Sequence, residues 1–170
     1  MEARKFWFFC DDDLLTQWLI APFKVQMGDD IITFNCSEQY MMYRKAKLFG
    51  DDETATLILQ TNNPSQQKEL GRKAKGFNAE LWDSHKEKIV FEGNYHKFEQ
   101  NQDLREKLFQ LGNVEFVETN PDDSVWGIGL SMNDERIHDK SQWKGLNLLG
   151  KILTQVRDEL LKKLEKSSTQ

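Results

Sequence analysis

Cysteine is scarce: only Cys10 and Cys36 occur in 170 residues. Two thiols cannot build the disulfide framework of a small secreted domain. With His85, His96 and His138 as the only histidines, they also argue against a four-ligand zinc site. The expectation is a reducing, cytoplasmic setting, no metal and no cofactor. Long apolar runs are missing as well, and no stretch approaches the length of a membrane span. Residues 1–10 hold one short apolar patch followed at once by Asp11, Asp12 and Asp13, without the extended apolar region or cleavage site of a secretory leader. Positive charge is in deficit: Lys and Arg number 23 against 28 Asp and Glu, a formal net charge of −5 with a pI near 5.3. That balance disfavours gripping bare nucleic acid through its phosphates alone, while leaving a local basic pocket open. Gly127 and Gly129 do not extend to a dinucleotide fingerprint and there is no phosphate loop, so Rossmann and kinase readings fail. No serine or cysteine sits in a motif that marks an activated nucleophile, and Cys36 beside Ser37 reads as buried filler.

What remains is a globular composition, 38% hydrophobic and 30% charged, with a generous 11% of aromatic residues. The length fits one domain spanning 1–170 with a core of its own, a frayed tail from about residue 165, and a monomer by default. Residues 5–9 read as a strand, and 22–34 as a hairpin turning at Gly28-Asp29-Asp30, which together supply a small sheet. From Ser37 the pattern becomes helical, with Ser37 as N-cap, Glu38 in the first turn and Gly50 as the stop. A short helix over 51–60 follows, then one opened by Asn63-Pro64 that runs to about residue 75 before Gly76. Asn78 caps a longer helix carrying Leu81, Trp82, Ile89 and Val90, and Asn101 caps another ending at Gly112. Residues 114–118 alternate like a strand. Residues 125–130 read as a short strand or a closely approached loop, and 131–144 show no period. The last helix, from about Leu146, sets Leu149, Ile152, Leu153, Val156, Leu160 and Leu164 on one face. With no repeat, low-complexity segment or linker, the fold class is α+β: a mainly helical single domain with a small β-sheet.

Three constellations can carry chemistry. Glu38, Met42 and Lys45 are spaced by four and three residues, so they share one helix face, with the charges about 10 Å apart along the axis. They can flank a ligand without neutralising each other. The plainer account is a helix-terminus acid and a solvated lysine. Glu118 and Asp122/Asp123 precede Val125-Trp126-Gly127-Ile128-Gly129, and carboxylates beside an indole and close-approach glycines suit a planar base or sugar. A polar turn before a core tryptophan would look the same. Lys68 with Gly71-Arg72-Lys73 could hold a phosphate, or be a solvated basic face.

In order along the chain, these signals resemble one family. The segments Leu15-Thr16-Gln17-Trp18, Pro22-Phe23, Asn35-Cys36-Ser37-Glu38-Gln39-Tyr40-Met41-Met42, Lys45-Ala46, Pro64 through Lys68 and Leu70-Gly71-Arg72 resemble the first half of NADAR (YbiA-like) proteins. Trp82, Lys97-Phe98, Gln100-Asn101, Glu118, Asp123 through Gly129, Trp143 through Asn147 and Leu149-Gly150 resemble the second half, so the likeness runs from Trp7 to Leu160. The resemblance implies an N-glycosidase. Its substrate would be ADP-ribose linked to the amino group of guanine, in nucleotide or nucleic acid, or a riboflavin-pathway ribosylamine phosphate. The partner would be a cognate ADP-ribosyltransferase toxin. It implies catalytic roles for Glu38, Lys45 and Asp123, and substrate contacts from Trp18, Arg44, Lys68, Arg72, Trp82, Glu118, Trp126, Gly127 and Asn147. There are departures: His85 and Lys86 stand where many members carry arginine, and Met42 where another branch carries glutamine.

Two mechanisms fit that implication. In one, Lys45 attacks the anomeric carbon or its open-chain imine and leaves a Schiff base for water, its pKa lowered by desolvation or by Arg44 or Lys47, with Glu38 moving protons. Asp123 would hold sugar hydroxyls or protonate the leaving nitrogen. In the other, paired carboxylates act directly and Lys45 only binds. A non-catalytic module that binds ADP-ribose or a nucleotide is the reading from a different class.

Overall fold

Helix starts in this chain are set mostly by short polar side chains that accept hydrogen bonds from otherwise orphaned backbone N–H groups. The computed structural model describes residues 4–11 and 13–168. The opening segment and tail discussed above therefore fall partly outside the described residues, at 1–3, Asp12 and 169–170. The chain divides into two compact units: Gln17–Asn101, and Met1–Thr16 with Gln102–Gln170.

In the Gln17–Asn101 unit, β2 (Phe23–Met27) and β3 (Asp30–Phe34) form an antiparallel hairpin, with Phe23 opposite Phe34. The left-handed φ of +64° at Gly28 makes its turn. Helices α1 (Ser37–Leu48), α2 (Asp52–Gln60), α3 (Pro64–Arg72) and α4 (Ala79–Gln100) follow. Asp51, Asn63 and Asn78 cap α2, α3 and α4 through their side chains. Helix α1 differs from expectation: its N-cap is Cys36, with no side-chain cap bond. Ser37 is the first helical residue and turns its hydroxyl to Asn94 Oδ1 at 3.3 Å. The packing of α1 is close. A Cβ on Gly71 of α3 would stand 2.8 Å from Met42 Cγ, and one on Gly93 of α4 would stand 2.7 Å from the Tyr40 ring. Phe23, Phe34 and Tyr40 fill the core between hairpin and helix.

In the other unit, β1 (Lys5–Phe9) pairs in parallel with β4 (Val114–Glu118). Helices α5 (Gln102–Gln110) and α6 (Leu148–Ser168) belong here. Val117, Ile128, Leu130 and Ile137 form an apolar cluster against Phe6, Phe8 and Trp143. Buried Arg157 of α6 donates to the carbonyls of Gly112 (2.8 Å) and Val114 (2.6 Å), so its charge ties the helix to the approach of β4.

The mainly helical α+β class is as the sequence implies. The single small sheet is corrected to two separate two-stranded sheets among the described residues. The hairpin is a local event, whereas β1 finds its partner more than a hundred residues downstream, a pairing that no local pattern announces. Residues 125–130 form a loop, and 131–144 contain only two short 3-10 turns, Glu135–His138 and Lys140–Gln142. None of the helices among the described residues is long and apolar enough to cross a membrane.

Candidate functional site

Glu38 lies in the first turn of α1, where a surface carboxylate would merely complement the helix dipole. Here it is 5% exposed. Burial pushes its carboxyl up from the ordinary 4.5 to about 7, against the opposing pull of Lys68, the Trp18 indole N–H, Lys45 and Arg72. A buried acid that titrates near neutrality with three cations acting on it marks a candidate functional carboxyl.

Lys45 follows two turns later on the same helix and is half-buried. Desolvation lowers its pKa most and Arg72 lowers it further, while the Glu38 charge resists. The neighbouring cation is therefore Arg72; Arg44 and Lys47, expected from sequence proximity, have other partners. Arg44 pairs with Glu92 Oε2 at 2.7 Å and with the Tyr40 hydroxyl, and the same Glu92 oxygen accepts from Tyr40 at 3.0 Å. Lys47 pairs with Asp52. An α-helix turns each successive residue by about 100°, so neighbours in sequence point to different partners.

The Lys45 ammonium faces two rings, Phe77 at 5.2 Å and Trp82 at 5.4 Å from its Nζ. Lys68 Nζ lies 5.8 Å from the Trp18 ring centre. Lys68 and Arg72 are four apart on α3, which turns both toward Glu38, while Lys73 pairs with Glu69 at 2.6 Å. The close packing of Gly71 on Met42 fixes α3 against α1 at this point. The structure thus brings together Glu38, Lys45, Trp18, Lys68, Arg72 and Trp82. Phe77 joins them and was missed, since a lone aromatic after Gly76 in a loop has no period to betray it. His85 and Lys86 have local contacts, to Leu81 O at 2.9 Å and Asp83 at 2.6 Å.

A polar network stands behind the acid. Asn94, fully buried, donates to Gln17 Oε1 at 2.7 Å and to Val90 O, and the Gln17 carbonyl accepts from Glu38 N at 2.9 Å. Trp18 is thereby anchored beside Glu38. Sequence reading gave no sign of this, because the contact joins residues far apart in the chain.

The remaining predicted residues lie in the other unit. Asp123 Oδ1 accepts from the backbone N–H groups of Val125 (2.9 Å) and Trp126 (2.8 Å), closing an Asx-type turn. Ile128 N bonds to Glu118 O at 2.9 Å, and a Cβ on Gly127 would meet that oxygen at 3.0 Å, so only glycine fits without displacement. Asn147, buried with φ +53°, accepts from Glu118 N and donates to Phe116 O, each at 3.0 Å. Its amide is a clamp between β4 and the start of α6. Half-buried Trp126 sits in the same loop. Among the described residues no group of three or more His, Cys, Asp or Glu could hold a metal ion.

The NADAR domain model matches residues 6–161. This chain belongs to the NADAR family. It is 39% identical to an N-glycosidase of Acanthamoeba polyphaga mimivirus over 94% of this chain and 98% of that protein. It is 42% identical to Protein irg-1 of Caenorhabditis elegans over 78% of this chain and 63% of that protein. The solution structure of Escherichia coli YbiA superposes with a TM-score of 0.74 at 26% identity, covering 97% of this chain and 90% of YbiA. This NADAR protein thus shares the YbiA fold.

Proposed function

We propose that this NADAR protein removes ADP-ribose from the amino group of guanine, in a nucleotide or in nucleic acid, and so acts against a guanine-modifying ADP-ribosyltransferase. By family it is a hydrolase of N-glycosyl bonds: relatives at 39% and 33% identity carry the name N-glycosidase. The observation that carries the reading is the buried Glu38 carboxyl, titrating near 7, on the same helix face as a half-buried lysine of lowered pKa. Binding alone needs no such matched acid and amine.

The arrangement supports a Schiff-base route. An exocyclic ribosylamine opens reversibly to an imine at C1. The neutral Lys45 amine adds its lone pair to that carbon. The C1–N bond to guanine then breaks as Glu38 gives its proton to the departing amino nitrogen, leaving Lys45 bonded to C1 as an imine. Water adds to C1, the Glu38 carboxylate takes its proton, and C1–Nζ cleavage returns free ADP-ribose and the lysine. A proton resting on Glu38 and an amine on Lys45 constitute the same protonation level as a carboxylate and an ammonium, so the reactive form is a tautomer of the resting one. Lys68 and Arg72 supply positive potential that suits a pyrophosphate.

Wild type, Glu38→Ala and Lys45→Ala are incubated with a guanine-ADP-ribosylated oligonucleotide and, separately, a riboflavin-pathway ribosylamine phosphate, with base release followed by mass spectrometry. Release from the oligonucleotide by wild type alone supports the reading. Release only from the ribosylamine transfers the assignment to that substrate. Tight ADP-ribose binding without release from either would make the protein a binding module.

A further inference from the structure

Phe77 lies 55% exposed in the loop between α3 and α4, yet its position is closely defined. Gly76 ahead of it has φ +74° and packs on Phe49, where a Cβ would come within 3.3 Å of the Phe49 carbonyl oxygen. Lys75 N donates to Asp51 Oδ2 at 2.8 Å. The Phe77 ring meets the Phe49 ring edge-on, at 5.4 Å and 72°. A solvent-facing phenyl on a fixed loop is poorly explained by the core, and it is directed at the ammonium of Lys45, which Trp82 also faces.

We infer that Phe77, with Trp82, forms the face on which the planar leaving base stacks while Lys45 takes over its ribose carbon. The inference rests on the N-glycosidase reading and adds a specificity-determining residue to it. An attacking amine must approach C1 to about 3–3.5 Å, and the base is joined to that same carbon through one nitrogen. Rings whose centres lie 5.2 and 5.4 Å from Nζ therefore flank the space the base must occupy. In the resting protein both faces hold the lysine cation. The neutral amine needed for attack gives up most of that cation–π attraction, which frees the faces for a heterocycle. A flat bicyclic base gains from both rings; a small or non-planar amine does not.

The test uses the full-length protein with Phe77→Leu, which keeps apolar bulk but removes the ring, and Phe77→Tyr, which restores it. With the guanine-ADP-ribosylated oligonucleotide, Phe77→Leu is expected to raise KM about tenfold or more, the scale of one base–aromatic stack, and Phe77→Tyr to recover most of the loss. Borohydride trapping of free ADP-ribose on Lys45, in which the trapped ribose carbon carries no leaving base, should proceed to the same extent in the two variants. A Leu variant with wild-type KM overturns the inference. So does one that loses trapping along with base release, because the ring would then act through Lys45 and not on the base. A wild-type protein that traps nothing and releases nothing removes the glycosidase reading itself, and the inference with it.

Discussion

Replacing Glu38 by glutamine should stabilise this protein at alkaline pH while abolishing its turnover. In the unfolded chain the carboxyl ionises near its ordinary 4.5, whereas the native state holds the proton to about 7. Between those values the native state binds a proton that the unfolded state has lost. The contribution of Glu38 is therefore undiminished below about pH 4.5, falls across the window and reaches its full penalty above about pH 7. At roughly 1.36 kcal/mol per pH unit the penalty is about 3 kcal/mol, for a side chain that is almost entirely buried. Glutamine has the same shape and never ionises, so Glu38→Gln should exceed wild type by about 3 kcal/mol at pH 8. For a chain of this size that is roughly 6–12 °C in Tm. The two proteins should converge by pH 4.5. Urea unfolding of both from pH 4.5 to 8.5 measures the difference directly. A Gln variant less stable than wild type at pH 8, or a difference that does not change with pH, would refute the electrostatic account. Activity follows the same titration differently: the reactive one-proton form of the Glu38–Lys45 pair is populated only once the pair has lost its first proton. Base release by wild type should therefore rise through about pH 7 and fall again where the second proton leaves, and Glu38→Gln should lose about 100-fold or more.

Lys45→Arg keeps the cation but cannot form an imine, so borohydride trapping should vanish and base release fall at least about 100-fold; trapping that survives would exclude Lys45 as the amine. Lys68→Ala with Arg72→Ala should raise KM for a pyrophosphate-bearing substrate and flatten its salt dependence, and should also move the rise of activity with pH to higher pH, since two charges that favour the Glu38 carboxylate are gone. Asp123→Asn preserves an Oδ1 acceptor for Val125 and Trp126 N–H, so Tm should stay within about 2 °C; if the carboxylate serves the chemistry, kcat drops about 100-fold, and an unchanged kcat reduces Asp123 to loop building. Gly71→Ala drives a methyl into Met42 and should cost about 1–3 kcal/mol in urea unfolding, with Met42→Ala in the same chain recovering part of it.

The helices were legible because their starts carry local chemistry. Asn63-Pro64 and Asn78 cap α3 and α4 as read. The start of α1 misled for a local reason as well: Ser37 has the right chemistry for a cap, but Asn94 of α4 claims its hydroxyl and leaves the cap position to Cys36. Glu38 and Lys45 were legible as a pair from helical spacing, because that spacing is a geometric constant. The identity of the cation beside Lys45 was not, because Arg72 arrives from another helix through the packing of Gly71 on Met42. Phe77 escaped for the same kind of reason, since its meaning lies in the Lys45 ammonium, thirty-two positions upstream.

The start of α1 shows what distinguishes Glu38 from its buried neighbours. Gln39 accepts from Asn35 N and donates to the carbonyls of Ile58 and Thr61. Gln67 donates to Asn35 Oδ1 and Thr61 O while accepting from the Cys36 thiol, and Asn94 is engaged by Ser37, Gln17 and Val90. These neutral amides have partners of matched geometry, and such a network fixes a single arrangement. Glu38 in the midst of it receives an indole N–H and three cations acting by charge, and burial still outweighs them. A carboxyl in that position destabilises the fold above neutrality, where glutamine, already present next to it as Gln39, would not. A protein whose only need was to fold has no use for that cost, whereas a proton donor for a departing base near pH 7 requires a pKa in just that range. The stability deficit at Glu38 and the chemistry proposed for it are thus one property, and the pH dependence of Glu38→Gln unfolding tests both.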